Sequence, residues 1–197
     1  MRVIAGCARG RRLKTRKGLE TRPTADRVKE ALFNILADKI VDCCFLDVFA
    51  GSGGIGIEAL SRAAQSCVFI EKDFLSAKII KDNLSLTGLA DRSVILNMDA
   101  AAGLTSLCKK AASFDLIFFD PPYCSDELES ALKMAMTLLL PGGLAVVEHH
   151  RRSHSWHNAD HWTKIREKTY GDTTLSFIVP VVIAEDACLP KEEGGKL

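Results

Sequence analysis

The chain has 197 residues, of which 26% are charged, and its formal net charge is +1. This length suits one domain, and no apolar run reaches the roughly 18 residues that a membrane-spanning helix needs, so we expect a cytoplasmic protein with no membrane partner. The seven cysteines include no C-x-x-C pair, which excludes the usual signs of a disulfide framework or a zinc site.

The positive charge is concentrated near the N-terminus. Residues 1–30 carry a net charge of +7 and the remainder carries −6. Clustered Arg and Lys side chains are typical of a surface that binds a polyanion, because each phosphate contact releases counterions, although a solvated charged surface is the alternative. The candidate contacts are Arg2, Arg9, Arg11, Arg12, Lys14, Arg22 and Arg27.

The first elements are short. Residues 2–6, RVIAG, form a strand candidate, and apolar residues at helical spacing predict a helix within 21–40. We therefore expect a basic N-terminal arm or small extension at residues 1–23, a domain at 24–184, and a disordered polar tail at 185–197.

From residue 43 onward, apolar strands alternate with helices four times. After the last of these helices, LPGG predicts a turn into the strand LAVVEHH, and two further segments, TKIREKTYG and TTLSFIVPVV, predict an antiparallel pair at the edge. Near-continuous apolar strands separated by helices predict an α/β fold with a mostly parallel seven-stranded sheet, an antiparallel closing strand and helices on both faces.

A glycine turn joins the first strand of this series to its helix. FLDVFAGSGGIGIEAL contains Gly51-x-Gly53-x-x-Gly56, which fits a dinucleotide fingerprint when an acidic residue about 20 positions on, here Glu71, accepts hydrogen bonds from a ribose. Enzymes that use S-adenosylmethionine (SAM) have a similar turn and a similar acidic residue. This stretch alone leaves both cofactors open.

Acidic residues end four successive strands: Asp47, Glu71, Asp99 and Asp120. A SAM site gives a task to three of them, because the methionine amine, the ribose hydroxyls and the adenine amino group all donate hydrogen bonds, and its cationic groups favour an acidic pocket. Asp99 alone could equally be a helix N-cap. The candidate cofactor residues are Asp47, Phe49, Ala50, Gly51, Gly53, Glu71, Lys72, Asp99 and Ala100.

The fourth strand ends in Asp120-Pro121-Pro122-Tyr123, our candidate catalytic residues. Consecutive prolines fix the backbone and remove two N–H donors, so nearby carbonyls are free to accept. If Asp120 and the Pro121 carbonyl accept the hydrogens of an exocyclic amine, its nitrogen can attack the SAM methyl group in line while Tyr123 stacks on the unstacked base. This chemistry needs no metal, and we expect none despite five histidines within residues 149–161.

D-P-P-Y resembles the motif of amino-directed nucleic-acid methyltransferases. Together with RVIAG, RPTADRVKEALFNIL, DVFAGSGGIGIEALSRAA and VVEH, it makes residues 2–149 resemble the RsmD family, bacterial enzymes that methylate N2 of a guanine in 16S ribosomal RNA. The resemblance implies a Rossmann-like class I SAM-dependent methyltransferase fold, SAM as the cofactor, an RNA-binding arm, and 16S RNA or the assembling small ribosomal subunit as the partner. We further expect a monomer.

Other activities share this chemistry. An adenine-N6 nucleic-acid methyltransferase or an N5-glutamine protein methyltransferase would use the same four residues. The basic arm favours nucleic acid, and only the family likeness favours guanine N2. A nicotinamide-dependent oxidoreductase would need a proton donor and a substrate lobe that the sequence does not show, and a noncatalytic RNA-binding protein would be expected to lose D-P-P-Y.

Overall fold

A computed structural model of the protein describes residues 1–16, 23–121, 127–152 and 160–181. The helices in these ranges are α1 (Pro23–Ile35), α2 (Ala37–Ile40), α3 (Gly54–Ser61), α4 (Phe74–Thr87), α5 (Ala100–Lys109) and α6 (Glu127–Met136), with a 3₁₀ turn at Ala90–Arg92. The strands are β1 (Cys44–Val48), β2 (Ser66–Ile70), β3 (Ser93–Leu96), β4 (Phe114–Phe119), β5 (Leu139–His150), β6 (Trp162–Tyr170) and β7 (Thr173–Pro180).

The seven strands form one sheet in the order β3-β2-β1-β4-β5-β7-β6. Strands β1 to β5 run parallel, and β7 lies antiparallel between β5 and β6. This arrangement confirms the predicted sheet with an antiparallel closing strand. The reversed order at β1 and β4 places the carboxyl ends of these two central strands at the switch point, where open α/β sheets bind ligands.

Both faces of the sheet are covered, as predicted. Alternate strand residues such as Phe45 and Phe118 pack against α1, α3 and α4 on one face, which we call the front face. Their neighbours, such as Leu46 and Ile117, pack against α5 and α6 on the back face. Strand periodicity therefore decides which side chains at a strand end share a face.

Two local predictions were wrong. RVIAG makes only a single bridge, between Arg2 and Arg12, and forms no strand. LPGG was predicted to form a turn that leads into the next strand. Instead, residues 141–143 lie inside β5. Between the pairs Phe114↔Leu139 and Leu116↔Leu144, β5 advances by five residues and β4 by two, so the Pro-Gly-Gly segment forms a bulge.

Residues 1–16, the N-terminal extension, dock on α3 and α4. The carboxylate of Glu58, which is fully buried, accepts hydrogen bonds from the backbone N–H groups of Ile4 (2.8 Å) and Ala5 (2.9 Å). These amides cannot also pair in a strand, which explains why RVIAG forms none. Two cations neutralise the same carboxylate, Lys29 at 3.2 Å and Arg62 at 2.8 Å.

A second anchor joins the extension to the glycine turn. The side chain of Asn83 on α4 accepts from the backbone N–H of Lys14 (2.8 Å) and donates to the carbonyls of Lys14 and Ser52 (both 3.0 Å). Val3, Ala8 and Leu13 are buried in the front-face core. The extension is therefore packed onto the domain, while the domain boundary at residue 23 stays a prediction.

Candidate functional site

The turn between β1 and α3 depends on its glycines. Gly51 and Gly53 have φ values of +56° and +78°, a region that side chains disfavour. Gly56 has another role, because a Cβ atom there would lie 2.3 Å from the Cε1 atom of Phe69 on β2. Two glycines therefore shape the turn, and the third lets α3 approach the sheet closely.

Glu71, directly after β2, braces this turn. Its Oε2 atom accepts from the backbone N–H of Gly51 and its Oε1 atom from that of Asp73, both at 2.7 Å. Each carboxylate oxygen can accept a second hydrogen bond, so these contacts leave acceptor capacity for a ribose. The ribose role stays a prediction.

Asp47 lies one residue before the end of β1 and is 2% exposed. Its Oδ2 atom accepts from the backbone N–H of Gly56 at 2.9 Å. Burial raises the pKa of Asp47 to about 7 against the lowering effect of this hydrogen bond, and the nearby Asp120 and Glu71 carboxylates raise it further. A cation bound in front of Asp47 would favour its ionised form.

A cleft opens between this turn and the extension. Five of the site residues predicted from the sequence line it: Asp47, Phe49, Ala50, Gly51 and Asp120. Sequence reasoning missed the remaining lining residues, which are Met1, Thr15, Arg16, Ser52, Gly54, Ile55, Ser76, Ile79 and Phe118.

The chemistry of the cleft fits SAM. Two carboxylates, those of Asp47 and Asp120, face a space whose other walls include Ile55, Ile79 and Phe118. A Cβ atom on Gly51 would meet nothing within 4 Å, so a ligand can approach the backbone there. Acidic groups beside apolar walls suit a ligand that joins cationic centres to an apolar chain and a purine.

The other predicted cofactor residues do not line this cleft. Gly53 and Glu71 shape the turn, whereas Lys72 is exposed and Ala100 begins α5. Asp99 is the N-cap of α5, since its Oδ1 atom accepts from the N–H of Ala102 at 2.7 Å. The N-cap alternative is thus confirmed for this residue, and its contact with adenine stays a prediction.

Asp120 follows β4 directly and lies beside a carboxyl group that sequence reasoning did not assign. Phe119 is paired in register with Val147, so the next residues, Asp120 and Glu148, are neighbours at the ends of parallel strands. Asp120 as a residue is exposed, but its carboxyl group lies among protein atoms, and desolvation raises its pKa to about 6. Desolvation, aided by the charge of Asp120, raises the pKa of Glu148 to about 8.

Only half of the predicted catalytic motif can be placed. Pro121 is half-buried beside Asp120, and Pro122 and Tyr123 lie outside the described residues. Glu148 could have been found from the sequence, because VVEH follows the same rule as the other strands, an acidic residue at the end of an apolar run.

The predicted basic contacts lie on the outer side of the extension. Arg9, Arg11 and Arg12 are exposed, as is Arg27 on α1, and Arg22 lies outside the described residues. Arg2 forms a salt bridge with Asp26 at 3.8 Å, and Lys14 one with Asp82 at 2.9 Å. The inner side of the extension lines the cleft, where Arg16 also contacts Asp73 at 3.3 Å. The extension thus has exposed cations on its outer side and lines the cleft with its inner side.

Within the described ranges, no group of three or more His, Cys, Asp or Glu side chains could hold a metal ion. His154 and His157 lie outside these ranges, so the expectation that the enzyme needs no metal stays a prediction. None of the helices described is long and apolar enough to cross a bilayer.

Comparisons with known proteins agree with this geometry. Residues 1–179 match the family described as Conserved hypothetical protein 95. YlbH of Bacillus subtilis, named as a candidate rRNA methyltransferase, is 38% identical over 178 residues, covering 89% of this chain and 97% of YlbH. Ribosomal RNA small subunit methyltransferase D of Haemophilus influenzae is 37% identical over 174 residues, covering 87% of this chain and 89% of that protein.

The fold agrees as well. The solved structure of yhhF from Escherichia coli, described as a candidate methyltransferase, superposes with a TM-score of 0.78 at 32% identity, covering 90% of this chain and 96% of that one. The sheet, the glycine turn and the relatives together confirm the class I methyltransferase fold. The chain belongs to the RsmD family of SAM-dependent ribosomal RNA methyltransferases.

Proposed function

We propose that this protein transfers the methyl group of SAM to the exocyclic N2 amine of a guanine in 16S ribosomal RNA. The observation that carries the proposal is the position of Asp120, at the carboxyl end of β4 and in the wall of the cleft that the glycine turn forms. The basic outer side of the extension supports an RNA substrate, and a relative named small subunit methyltransferase D supports ribosomal RNA.

The residues of the chain would act by positioning and by accepting protons. SAM, when bound, supplies an electrophilic methyl group. Asp120 and the Pro121 carbonyl accept hydrogen bonds from the target amine and orient its nitrogen, and the Asp120 carboxylate can take the proton that this nitrogen releases. Asp47, held by the Gly56 N–H, supplies negative charge for the cationic cofactor. Pro122 and Tyr123 keep their predicted roles in fixing the loop and stacking on the base.

The competing activities differ in substrate and not in chemistry. Adenine-N6 and N5-glutamine methyltransferases would place another amine against Asp120. Six exposed cations on the extension and α1 favour a nucleic acid over a protein substrate: Arg2, Arg9, Arg11, Arg12, Lys14 and Arg27.

The proposal also includes a cytoplasmic location, no membrane partner and a monomeric enzyme. Light scattering after gel filtration tests whether the enzyme is a monomer.

The deciding experiment is methylation of total RNA from a strain that lacks the protein. With labelled SAM, we expect label at one guanine N2 of 16S RNA, and loss of turnover in Asp120→Asn even at SAM concentrations that saturate the variant. Asp115→Asn is the matched control, since Asp115 lies at the other end of β4 and contacts the Cys44 N–H. Label on adenine, on protein, or undiminished in Asp120→Asn would overturn the proposal.

A second experiment tests the extension. If the Arg9, Arg11, Arg12 and Lys14 side chains contact phosphates, replacing all four with alanine should flatten the plot of log RNA affinity against log salt by roughly three units. SAM binding should persist, because none of these four residues lines the cleft. An unchanged slope would favour the protein-substrate alternative.

A further inference from the structure

A second group of cations lies at the opposite edge of the sheet. Arg151 and Arg152 follow β5, and Arg166 and Lys168 lie on β6, the edge strand; we call these four residues the β6 surface. All four are exposed, and within the described parts of the chain no acidic side chain forms a salt bridge with any of them. Lys164 on the same strand differs, because it pairs with Glu167 at 2.6 Å.

Strand register aligns the β6 surface with the candidate active site. Lys168 pairs with Leu175 on β7, and Leu175 pairs with Glu148 on β5, the neighbour of Asp120. Directly paired residues lie on the same face, so Lys168 shares the front face with Asp120. They are three strand spacings apart, about 14 Å at 4.7–4.9 Å for each spacing.

Arg166 lies on the same face, because it pairs with Phe177, a member of the front-face core. Its guanidinium lies 6.0 Å from the centre of the Phe177 ring, a contact that limits the freedom of the side chain before any ligand binds. A register shift between Lys164 and Arg166 places Lys164 opposite Ile178, a residue of the back-face core. The strand thus presents Arg166 and Lys168 to the front and Lys164 to the back.

The two basic surfaces flank Asp120. The extension docks on α3 and α4, the helices that follow β1 and β2, whereas β6 is three strands beyond β4 in the other direction. Residues two apart on a strand are separated by about 6.6–6.8 Å, so Arg166 and Lys168 can contact successive groups of an extended chain. Arginine forks match phosphate oxygens in a bidentate manner.

We propose that the β6 surface is a second RNA-binding surface, so that the substrate strand crosses the mouth of the cleft with phosphates held on both sides of Asp120. This inference rests on the proposed function, because it takes RNA as the substrate. It identifies the substrate as an RNA that continues beyond the target nucleotide in both directions. Charged residues on an edge strand also prevent edge-to-edge association, and this competing role makes a different prediction.

The test is RNA binding by the intact protein during a salt titration, with a 16S RNA fragment as the probe. The variant combines Arg151→Ser, Arg152→Ser, Arg166→Gln and Lys168→Ser, where glutamine retains part of the packing against Phe177. We expect the slope of log affinity against log salt to flatten by roughly three units, at about 0.7–0.9 for each phosphate contact. SAM binding and the unfolding temperature should not change.

Lys168→Ser and Lys164→Ser form a matched pair, because each removes one lysine from β6 but from opposite faces. Lys168→Ser should lower the slope by about 0.7–0.9, and Lys164→Ser should not change it. A wild-type slope in the quadruple variant, equal effects of the two lysines, or aggregation with an unchanged slope would each overturn the inference. The proposed function fails separately, if wild-type protein methylates no RNA.

Discussion

Replacing Asp47 with asparagine should make the protein less sensitive to alkaline pH. Asp47 is 2% exposed, and burial raises its pKa to about 7. A carboxyl group whose pKa is raised in the folded state stabilises that state fully below its unfolded pKa, about 3.9, and loses this contribution as pH rises toward 7. Asparagine has the same shape, can still accept from the Gly56 N–H, and does not titrate.

The expected magnitude follows from the shift. Moving the pKa from 3.9 to about 7 costs the folded state about 4 kcal/mol once Asp47 is ionised, at 1.36 kcal/mol for each unit. About 1–2 kcal/mol of this cost is already present at pH 5. Between pH 5 and pH 8, the unfolding free energy of Asp47→Asn should therefore rise by roughly 2–3 kcal/mol relative to that of the wild type.

Urea unfolding at pH 5, 6, 7 and 8 measures this gain, and tryptophan fluorescence, to which the buried Trp162 contributes, reports the transition. Asp115→Asn is the control, because it also replaces a carboxylate that accepts from a backbone N–H, at a half-buried position. Wild-type and Asp47→Asn stabilities that run parallel across this pH range would refute the reasoning.

Binding of SAM should favour the ionised form of Asp47. Calorimetry near pH 6 should therefore detect a proton release on SAM binding that Asp47→Asn lacks.

Three further substitutions test the site and its supports. Glu71→Gln leaves one of two backbone amides facing a donor, so SAM binding should weaken by about 1–3 kcal/mol in calorimetry, and wild-type affinity would contradict the role of the brace. Gly56→Ala places a Cβ 2.3 Å from Phe69, so the unfolding free energy should fall by about 1–3 kcal/mol. A variant of wild-type stability would show that close packing of α3 on the sheet does not depend on this glycine. Glu58→Gln removes the carboxylate that pairs with both Lys29 and Arg62, and the unfolding free energy should fall by about 3–5 kcal/mol; a variant of wild-type stability would show that the carboxylate is not needed there.

Local patterns predicted the sheet and the centre of the site. Apolar runs define β1, β2 and β4, and an acidic residue within one position of the end of each strand reaches the same edge because parallel strands point the same way. Asp47 and Asp120 were found in this manner, and both line the cleft. Such predictions succeed because one strand and its turn contain all the information that they need.

Contacts between distant segments were not predictable in this way. Met1, Thr15 and Arg16 line the cleft only because the extension folds back, and nothing in their own stretch indicates this. Glu58 is a charged residue in a largely apolar helix, a pattern that predicts an exposed side chain. It is instead fully buried, and its carboxylate accepts hydrogen bonds from two backbone N–H groups. The strong positive charge of residues 1–30 indicated a basic arm that binds a polyanion, and this pattern gave no sign that Val3, Ala8 and Leu13 are buried.

The docking of the extension also constrains the order in which the chain can fold. Ile4 and Ala5 depend on a carboxylate more than 50 residues away, and Lys14 depends on Asn83, 69 residues away. Closing loops of this length costs chain entropy before any contact is made, so these contacts should form after β1, α3 and α4 have assembled. During synthesis the first residues therefore remain undocked until Asn83 has left the ribosome. In the finished protein, the same segment should open and exchange its amide hydrogens without unfolding of the sheet.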